Sequence, residues 1–138
     1  MGADEFRANF EAGDIDAVLA DFAPDHVTYH AGQAEPTSDP GFLRKLWPAA
    51  RAVLGDEFHF TDRVEAQVHG GRYVLLPWTT LIDGIEAEGV DFVKEDDDGR
   101  VLEIRITMRP LQAIEAFSAA MTARLGEFSD THPPPAGA

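Results

Sequence analysis

Cysteine is absent from this chain of 138 residues. That absence excludes a disulfide framework and a thiolate metal site, and it suits a reducing compartment. Basic residues are also scarce, since 11 Lys and Arg stand against 25 Asp and Glu for a formal net charge of -14 at pH 7. Such a charge repels the phosphates of nucleic acids and the surface of anionic membranes, so we expect neither as a partner.

Long hydrophobic runs are missing as well. No stretch approaches the roughly 20 apolar residues of a membrane-spanning helix, and the acidic opening MGADEFRANFEAGD is unlike a signal peptide. We therefore expect a soluble, cytoplasmic protein. The length predicts a single domain, which we assign to residues 1–128, and the proline-rich sequence SDTHPPPAGA predicts a disordered tail over residues 129–138.

Helical spacing marks two helices at the start of the sequence. Phe6 and Phe10 share one face of the first helix, which we expect to end at Gly13. The second helix follows Asp14, a favoured N-cap residue. Its apolar face consists of Ile15, Val18, Leu19 and Phe22. Because the residue before a proline disfavours helix, we expect this helix to stop at Ala23-Pro24-Asp25.

A short strand and two further helices are predicted next to a long β region. The strand covers residues 26–30. Asp39 before Pro40 is typical of a helix start, and the apolar face that begins there continues to Gly55. The last helix is predicted over Leu111 to Leu125.

Between residues 57 and 109 the hydrophobic period changes from helical spacing to two. Three glycine-containing turns divide this region into four strands, which predicts an antiparallel meander. Pro77 cannot donate to a strand ladder, so it predicts a bulge or an edge. Helices and strands in this order make an α+β domain, in which helices cover one face of the sheet.

The second long strand is apolar on both faces. One set contains Leu76 and Trp78, the other contains Leu75 and Leu81, and the sequence leaves open which set faces the core. Since both sets are apolar, we expect both faces of the sheet to be buried. A homodimer through the convex face is the simplest way to bury the second one.

Two segments resemble the nuclear transport factor 2-like superfamily, which includes ketosteroid isomerases and SnoaL-like polyketide cyclases. AGDIDAVLADFAPDHVTYH is similar to the opening of these proteins, and DFVKEDDDGRVLEIRITMRP to their closing hairpin. The resemblance covers residues 5–117 and implies a cystatin-like cone, in which helices pack on the concave face of a curved antiparallel sheet around an apolar pocket. The same cone hosts several classes of enzyme and plain binding proteins.

The resemblance also implies site residues. Asp91 falls where these enzymes commonly place a pocket carboxyl group. His30 falls where the isomerases place a carboxylate base, and Phe6 where they place an oxyanion-binding tyrosine. The chain therefore keeps one of the three residue types and substitutes two, which weakens the case for steroid isomerisation and leaves a titratable pair in a pocket.

The residues themselves give Asp91 two interpretations. Side chains alternate along a strand, so Asp91 points opposite to Phe92. Beside an apolar row on the last strand, desolvation would raise its pKa and let it donate a hydrogen bond near neutral pH. The alternative is a structural carboxylate that accepts hydrogen bonds from Arg105, Thr80 or a backbone amide.

His30 is the second catalytic candidate, because imidazole is the readiest proton acceptor at neutral pH. The alternatives are an exposed or structurally bonded histidine, or a slip of one residue that would turn Tyr29 inward. Aromatic and apolar residues supply the candidates for binding the substrate, with core packing as the alternative role. They are Phe6, Tyr29, Trp47, Trp78, Ile106 and Met108.

These observations favour a small-molecule pocket protein. It would be a cofactor-independent isomerase or cyclase that acts by acid and base chemistry on a small apolar carbonyl compound. The alternative is a binding or dimeric assembly module of the same fold, without turnover. No metal-ligand spacing and no glycine-rich phosphate loop is present, so we expect neither a metal nor another cofactor.

Overall fold

A computed structural model describes residues 2–126 of the chain. This part of the chain is α+β, as predicted, and it has four helices and a curved sheet of six strands. The helices are α1 (Ala3–Ala12), α2 (Ile15–Ala20), α3 (Pro40–Leu54) and α4 (Leu111–Leu125). The strands are β1 (Phe22–Tyr29), β2 (His59–Phe60), β3 (Val64–Val68), β4 (Gly71–Ile82), β5 (Ile85–Glu95) and β6 (Val101–Ile106). The predicted disordered tail lies outside the described residues.

The helix termini follow the local signals of the sequence. Gly13 ends α1 in the left-handed conformation at φ 82°, which a residue without a Cβ adopts at little cost. The carboxylates of Asp14 and Asp39 cap α2 and α3, since they accept from backbone N–H groups at 3.2 and 2.9 Å. Across the described residues, no helix combines the length and hydropathy that crossing a bilayer requires.

The predicted end of the second helix is wrong. α2 stops at Ala20, and Phe22 already belongs to β1, where it lies opposite Val101 of β6. Pro24 is tolerated in this strand because it falls in the irregular stretch between Phe22 and Val27, where the ladder with β6 is interrupted. β1 runs parallel to β6, a pairing between distant segments that the predicted antiparallel sheet does not include.

The sheet order is β1-β6-β5-β4-β2, and β3 also pairs with β4. The first strand of the predicted meander is therefore two strands on one edge of β4. Phe60 lies opposite Trp78, whereas Val64 lies opposite Leu75, so the register shifts by one residue between the two strands. The carbonyl of Pro77 accepts from the N–H of Thr61 at 2.8 Å and keeps the register of β2, so the shift falls between Pro77 and Leu75, next to the irregularity that the proline predicts.

The structure decides which face of β4 is internal. Leu76 and Trp78 are 0% and 2% exposed, whereas Leu81 is 44% exposed. The inner face joins residues of α1, α3 and α4 in one hydrophobic core. On the outer face the hydroxyl of Tyr73 donates to Glu103 at 2.7 Å. The homodimer stays a prediction.

Candidate active-site cavity

Asp91 lies on the inner face of the sheet. It sits in the middle of β5, directly between Leu76 of β4 and Ile106 of β6. Its side chain is buried, at 4% exposure, whereas the neighbouring Phe92 on the outer face is half-buried. The alternation of the strand therefore places a carboxyl group in an apolar interior, where charge is costly.

Trp78 supplies the hydrogen bond that holds this carboxyl group. Its indole Nε1–H donates to Oδ1 of Asp91 at 3.0 Å. The glycine opposite Trp78 makes room for the ring, since a Cβ at Gly89 would lie 2.6 Å from Cζ2 of the indole and 2.0 Å from the carbonyl oxygen of Thr107. A side chain at position 89 would therefore displace the indole that orients Asp91.

Burial dominates the electrostatics of Asp91. Desolvation raises its pKa from 3.8 to about 7, and the hydrogen bond from Trp78, which favours the charged form, offsets part of this effect. Near neutral pH the carboxyl group is therefore present in both protonation states. In the protonated form one oxygen accepts from Trp78 and the other carries a proton that it can donate.

A narrow cavity of about 30 Å³ adjoins Asp91. Its lining combines two titratable side chains with apolar ones, and only three lining residues are half-buried rather than buried: Ala31, Ile106 and Met108. We call these three the mouth. The other lining residues are Phe10, His30, Leu46, Trp47, Ala50, Leu54, Phe58, Trp78, Asp91 and Phe117.

His30 lines the same cavity as Asp91. It follows the last residue of β1, is 6% exposed, and its ring centroid lies 6.4 Å from that of Phe42. Tyr29 lies on the opposite face of the sheet, where the guanidinium group of Arg105 stands 4.0 Å from the centre of its ring. Of the two residues considered for this position, the structure turns His30 inward and Tyr29 outward.

The remaining predicted site residues divide into two groups. Trp47, Trp78, Ile106 and Met108 line the cavity together with Asp91 and His30. Phe6 and Tyr29 do not line it, because Phe6 packs 5.6 Å from the rings of both Phe10 and Trp47 in the core and Tyr29 faces outward. The structure thus brings together six of the eight residues.

The structural partners considered for Asp91 are occupied elsewhere. Arg105 lies on the outer face and pairs with Glu103, with 2.5 Å between Nε and Oε1. Thr80 donates its hydroxyl hydrogen to the backbone carbonyl of Leu54. Neither side chain therefore turns Asp91 into part of a surface ion network.

Solved structures share this architecture. A steroid delta-isomerase from Pseudomonas aeruginosa has a TM-score of 0.79 at 22% sequence identity, covering 89% of this chain and 88% of that one. A cystatin-like protein from Silicibacter pomeroyi has a TM-score of 0.77 at 19% identity, covering 88% and 82%. This chain has a nuclear transport factor 2-like fold.

Other comparisons add less about this chain. A protein from Sinorhizobium meliloti that carries the name polyketide cyclase has a TM-score of 0.58 at 17% identity, covering 75% of this chain and 90% of that one. No family model matches the sequence. No curated protein matches it significantly. At such identities the solved structures establish the fold alone.

Sequence reasoning missed several residues of the cavity in this nuclear transport factor 2-like cone. α3 contributes Leu46, Ala50 and Leu54, and a spacing of four residues places them on one helix face. Phe10 lies one helical turn after Phe6 on the same face of α1, so the helical spacing could have indicated it. Phe58 directly precedes β2, and its spacing of two from Phe60 is the signal that could have indicated it.

His26 is a second buried titratable residue, and it is connected to the cavity lining through Thr28. Nδ1 of His26 lies 2.9 Å from the carbonyl oxygen of Val101, and Nε2 lies 2.6 Å from Oγ1 of Thr28. Trp47, which lines the cavity, donates from Nε1 to the same hydroxyl oxygen at 3.3 Å. Burial lowers the pKa of His26 to about 4, so the ring is neutral at pH 7.

The described residues hold no group of three or more His, Asp or Glu side chains arranged to bind a metal ion. The side chains that line the cavity supply a carboxyl group poised between two protonation states, an imidazole, and a wall of aromatic and aliphatic residues.

Proposed function

We propose that the cavity binds a small apolar carbonyl compound and that Asp91 and His30 act on it by acid and base chemistry, as in an isomerase or cyclase that needs no cofactor. One observation carries the proposal. A carboxyl group with a pKa raised to about 7 and the imidazole of His30 line the same apolar cavity. Convergent polar groups in an otherwise apolar pocket are typical of ligand sites.

Asp91 acts through the oxygen that Trp78 leaves available. When protonated, it donates a hydrogen bond to the carbonyl oxygen of the ligand, while Oδ1 keeps the hydrogen bond from the indole. Negative charge develops on that carbonyl oxygen when a proton leaves the adjacent carbon. A preorganised donor in a dry site stabilises such charge, an effect worth roughly 10² to 10³ in rate.

His30 takes the proton in this scheme. Neutral imidazole accepts the proton from the carbon next to the carbonyl group, and the imidazolium ion returns it to another carbon of the same ligand. Atoms and charge balance, because the proton is only relocated. The net result is an isomerisation, for which the chain needs no redox group.

The size of the cavity favours the second candidate, a binding module without turnover. About 30 Å³ is room for one or two water molecules, whereas ligand pockets are usually about 300 to 1,000 Å³. Any ligand must therefore widen the mouth to enter. A protein that only binds its ligand needs the same widening, and it needs no reaction afterwards. In this alternative Asp91 serves as a hydrogen-bonding contact that selects the ligand.

Proton exchange separates the two candidates. The chain is incubated in D₂O with simple ketones, and deuterium incorporation next to the carbonyl group is followed by NMR. We expect catalysed exchange that falls by roughly 10² to 10³ in Asp91→Asn and in His30→Gln, because each removes one half of the acid and base pair. Asp97→Asn, on an exposed hairpin turn, is the matched control and leaves the rate unchanged.

Two outcomes contradict the enzymatic proposal. The first is exchange that persists at the wild-type rate in Asp91→Asn while the variant stays folded. The second is a ketone that raises the melting temperature of the chain without any catalysed exchange, which supports the binding module instead.

A further inference from the structure

We infer that the cavity selects compact ligands, of about one ring, and that Phe58 sets this limit. The inference rests on the proposed function, since it concerns the ligand class of the same cavity. Its basis is an asymmetry in the lining. Four aromatic residues of the lining are buried and form a connected set of rings, whereas Ala31, Ile106 and Met108 at the mouth are half-buried.

The connected rings are Phe10, Trp47, Phe58 and Trp78, which we call the aromatic wall. Phe58 is its central ring, with its centroid 5.2 Å from that of Phe10 and 5.4 Å from that of Trp78. Phe10 in turn lies 5.6 Å from Trp47. Rings at these separations are in contact, so a ligand passes between them only by pushing them apart.

Arg51 fixes the aromatic wall from outside the cavity. Its guanidinium carbon lies 5.7 Å from the centres of both Phe10 and Phe58. Its three nitrogens donate to the carbonyl oxygens of Phe10, Glu11 and Gly55, at 2.8, 3.1 and 2.8 Å respectively. These bonds tie the end of α1 to the end of α3, so the wall cannot recede without breaking several contacts.

Trp47 and Trp78 are held by hydrogen bonds as well. Trp47 donates to Thr28, and Trp78 donates to Asp91. By contrast, Met108 at the mouth is half-buried and has an unbranched, flexible side chain that adopts several shapes at low cost. A ligand therefore gains room on the side of Met108, not on the side of Phe58.

The volume of the cavity limits the size of the ligand that it can hold. A dry cavity of about 150 Å³ holds one benzene molecule. That volume is several times the volume of the present cavity, about 30 Å³. Displacement of Met108 is the change that admits one ring. A fused system of several rings needs further depth, and Phe58, as the central ring of the aromatic wall, is the side chain that we infer must move to provide it.

The test uses hydrocarbons of increasing size, because they report space without needing a carbonyl group. Benzene, naphthalene and pyrene are titrated into the chain, and binding is followed through the methyl resonance of Met108. We expect benzene to bind the wild type about tenfold or more tightly than naphthalene, and pyrene not to bind. In Phe58→Leu the preference for benzene over naphthalene falls about tenfold.

Phe60→Leu is the matched control. Phe60 is a buried ring 4.9 Å from Phe58, but it does not line the cavity, so its loss lowers stability and leaves the order of sizes intact. Phe58→Leu is preferred to Phe58→Ala because it keeps an apolar side chain and is better able to fold.

Three results overturn the inference. They are tight binding of pyrene to the wild type, an unchanged size preference in Phe58→Leu, and failure of benzene to bind any of the variants. A separate pair of probes, cyclohexanone and cyclohexane, tests the proposed function. If the hydrocarbons follow the size order while cyclohexanone shows neither tighter binding nor proton exchange, the proposed function fails and the size limit stands.

Discussion

Asp91 and His26 are both buried titratable side chains, and desolvation is the largest cause of the shift in pKa for each. Their surroundings differ. Both ring nitrogens of His26 lie within hydrogen-bond distance of protein oxygens, and its ring stacks on Phe22 at 3.7 Å. Within residues 2–126, Asp91 has one hydrogen-bond partner, Trp78, and it borders a cavity. Satisfied polar groups stabilise a fold, whereas a polar group that faces a cavity is available to a ligand.

Among the substitutions of these buried residues, we expect Asp91→Asn at alkaline pH to change the free energy of unfolding most. The pKa of Asp91 is raised on folding, so the native state binds the proton more tightly than the unfolded chain does. The tighter binding of this proton stabilises the native state. The stabilisation is fully present below about pH 4 and is lost as the pH rises through about 7. A shift of about three units corresponds to an upper bound of about 4 kcal/mol.

Asparagine carries no proton that it can lose, so Asp91→Asn removes the free-energy cost of ionising a buried carboxyl group at high pH. We therefore expect Asp91→Asn to gain up to about 4 kcal/mol of unfolding free energy over wild type at pH 8, and much less at pH 4. Urea denaturation at both pH values measures the difference. Asp97→Asn serves as the exposed control, and an equal effect of the two substitutions would mean that Asp91 is not a buried acid.

His26→Gln is expected to act in the opposite direction and with a slightly smaller effect. Folding lowers the pKa of His26 to about 4, so its contribution to stability is present above about pH 6.5 and is lost as the pH falls toward 4. Between these pH values the contribution of His26 to the free energy of unfolding changes by about 3 kcal/mol. We expect it to disappear from the denaturation profile of His26→Gln and to persist in His59→Gln, whose side chain is exposed.

The smallest of the three effects is expected for Trp78→Phe. The indole N–H favours the charged form of Asp91, so its removal raises the pKa of Asp91 further. The loss of one buried hydrogen bond to a polar group also costs about 1 to 3 kcal/mol of stability. The measurement is the titration of the Asp91 carboxyl carbon in the variant, and a midpoint that moves to lower pH would show that the indole does not stabilise the anion.

The sequence predicts much of this fold because many of its signals are local. The caps at Asp14 and Asp39 and the bounds of α4 depend on neighbouring residues. That Asp91 and Phe92 point to opposite faces of the sheet follows from alternation along β5. Contacts across strands are different, because they require a register that no local pattern fixes.

The partner of Asp91 illustrates this limit. The contact with Trp78 depends on the alignment of β4 with β5 and on a glycine opposite the indole. The parallel pairing of β1 with β6 is equally distant in sequence, and it extends β1 through Pro24, where local rules predict a break. The volume of the cavity depends on all of these contacts together, so the sequence alone does not indicate it.

The most direct test of the central claim is the titration of Asp91 itself. The side-chain carboxyl carbon is observed by ¹³C NMR across the pH range, with Asp91→Asn used to assign its resonance. The structure predicts a midpoint of about 7, because the carboxyl group is buried in an apolar cavity. A midpoint near 4, as for an exposed aspartate, would contradict the account of this cavity as an acid and base site.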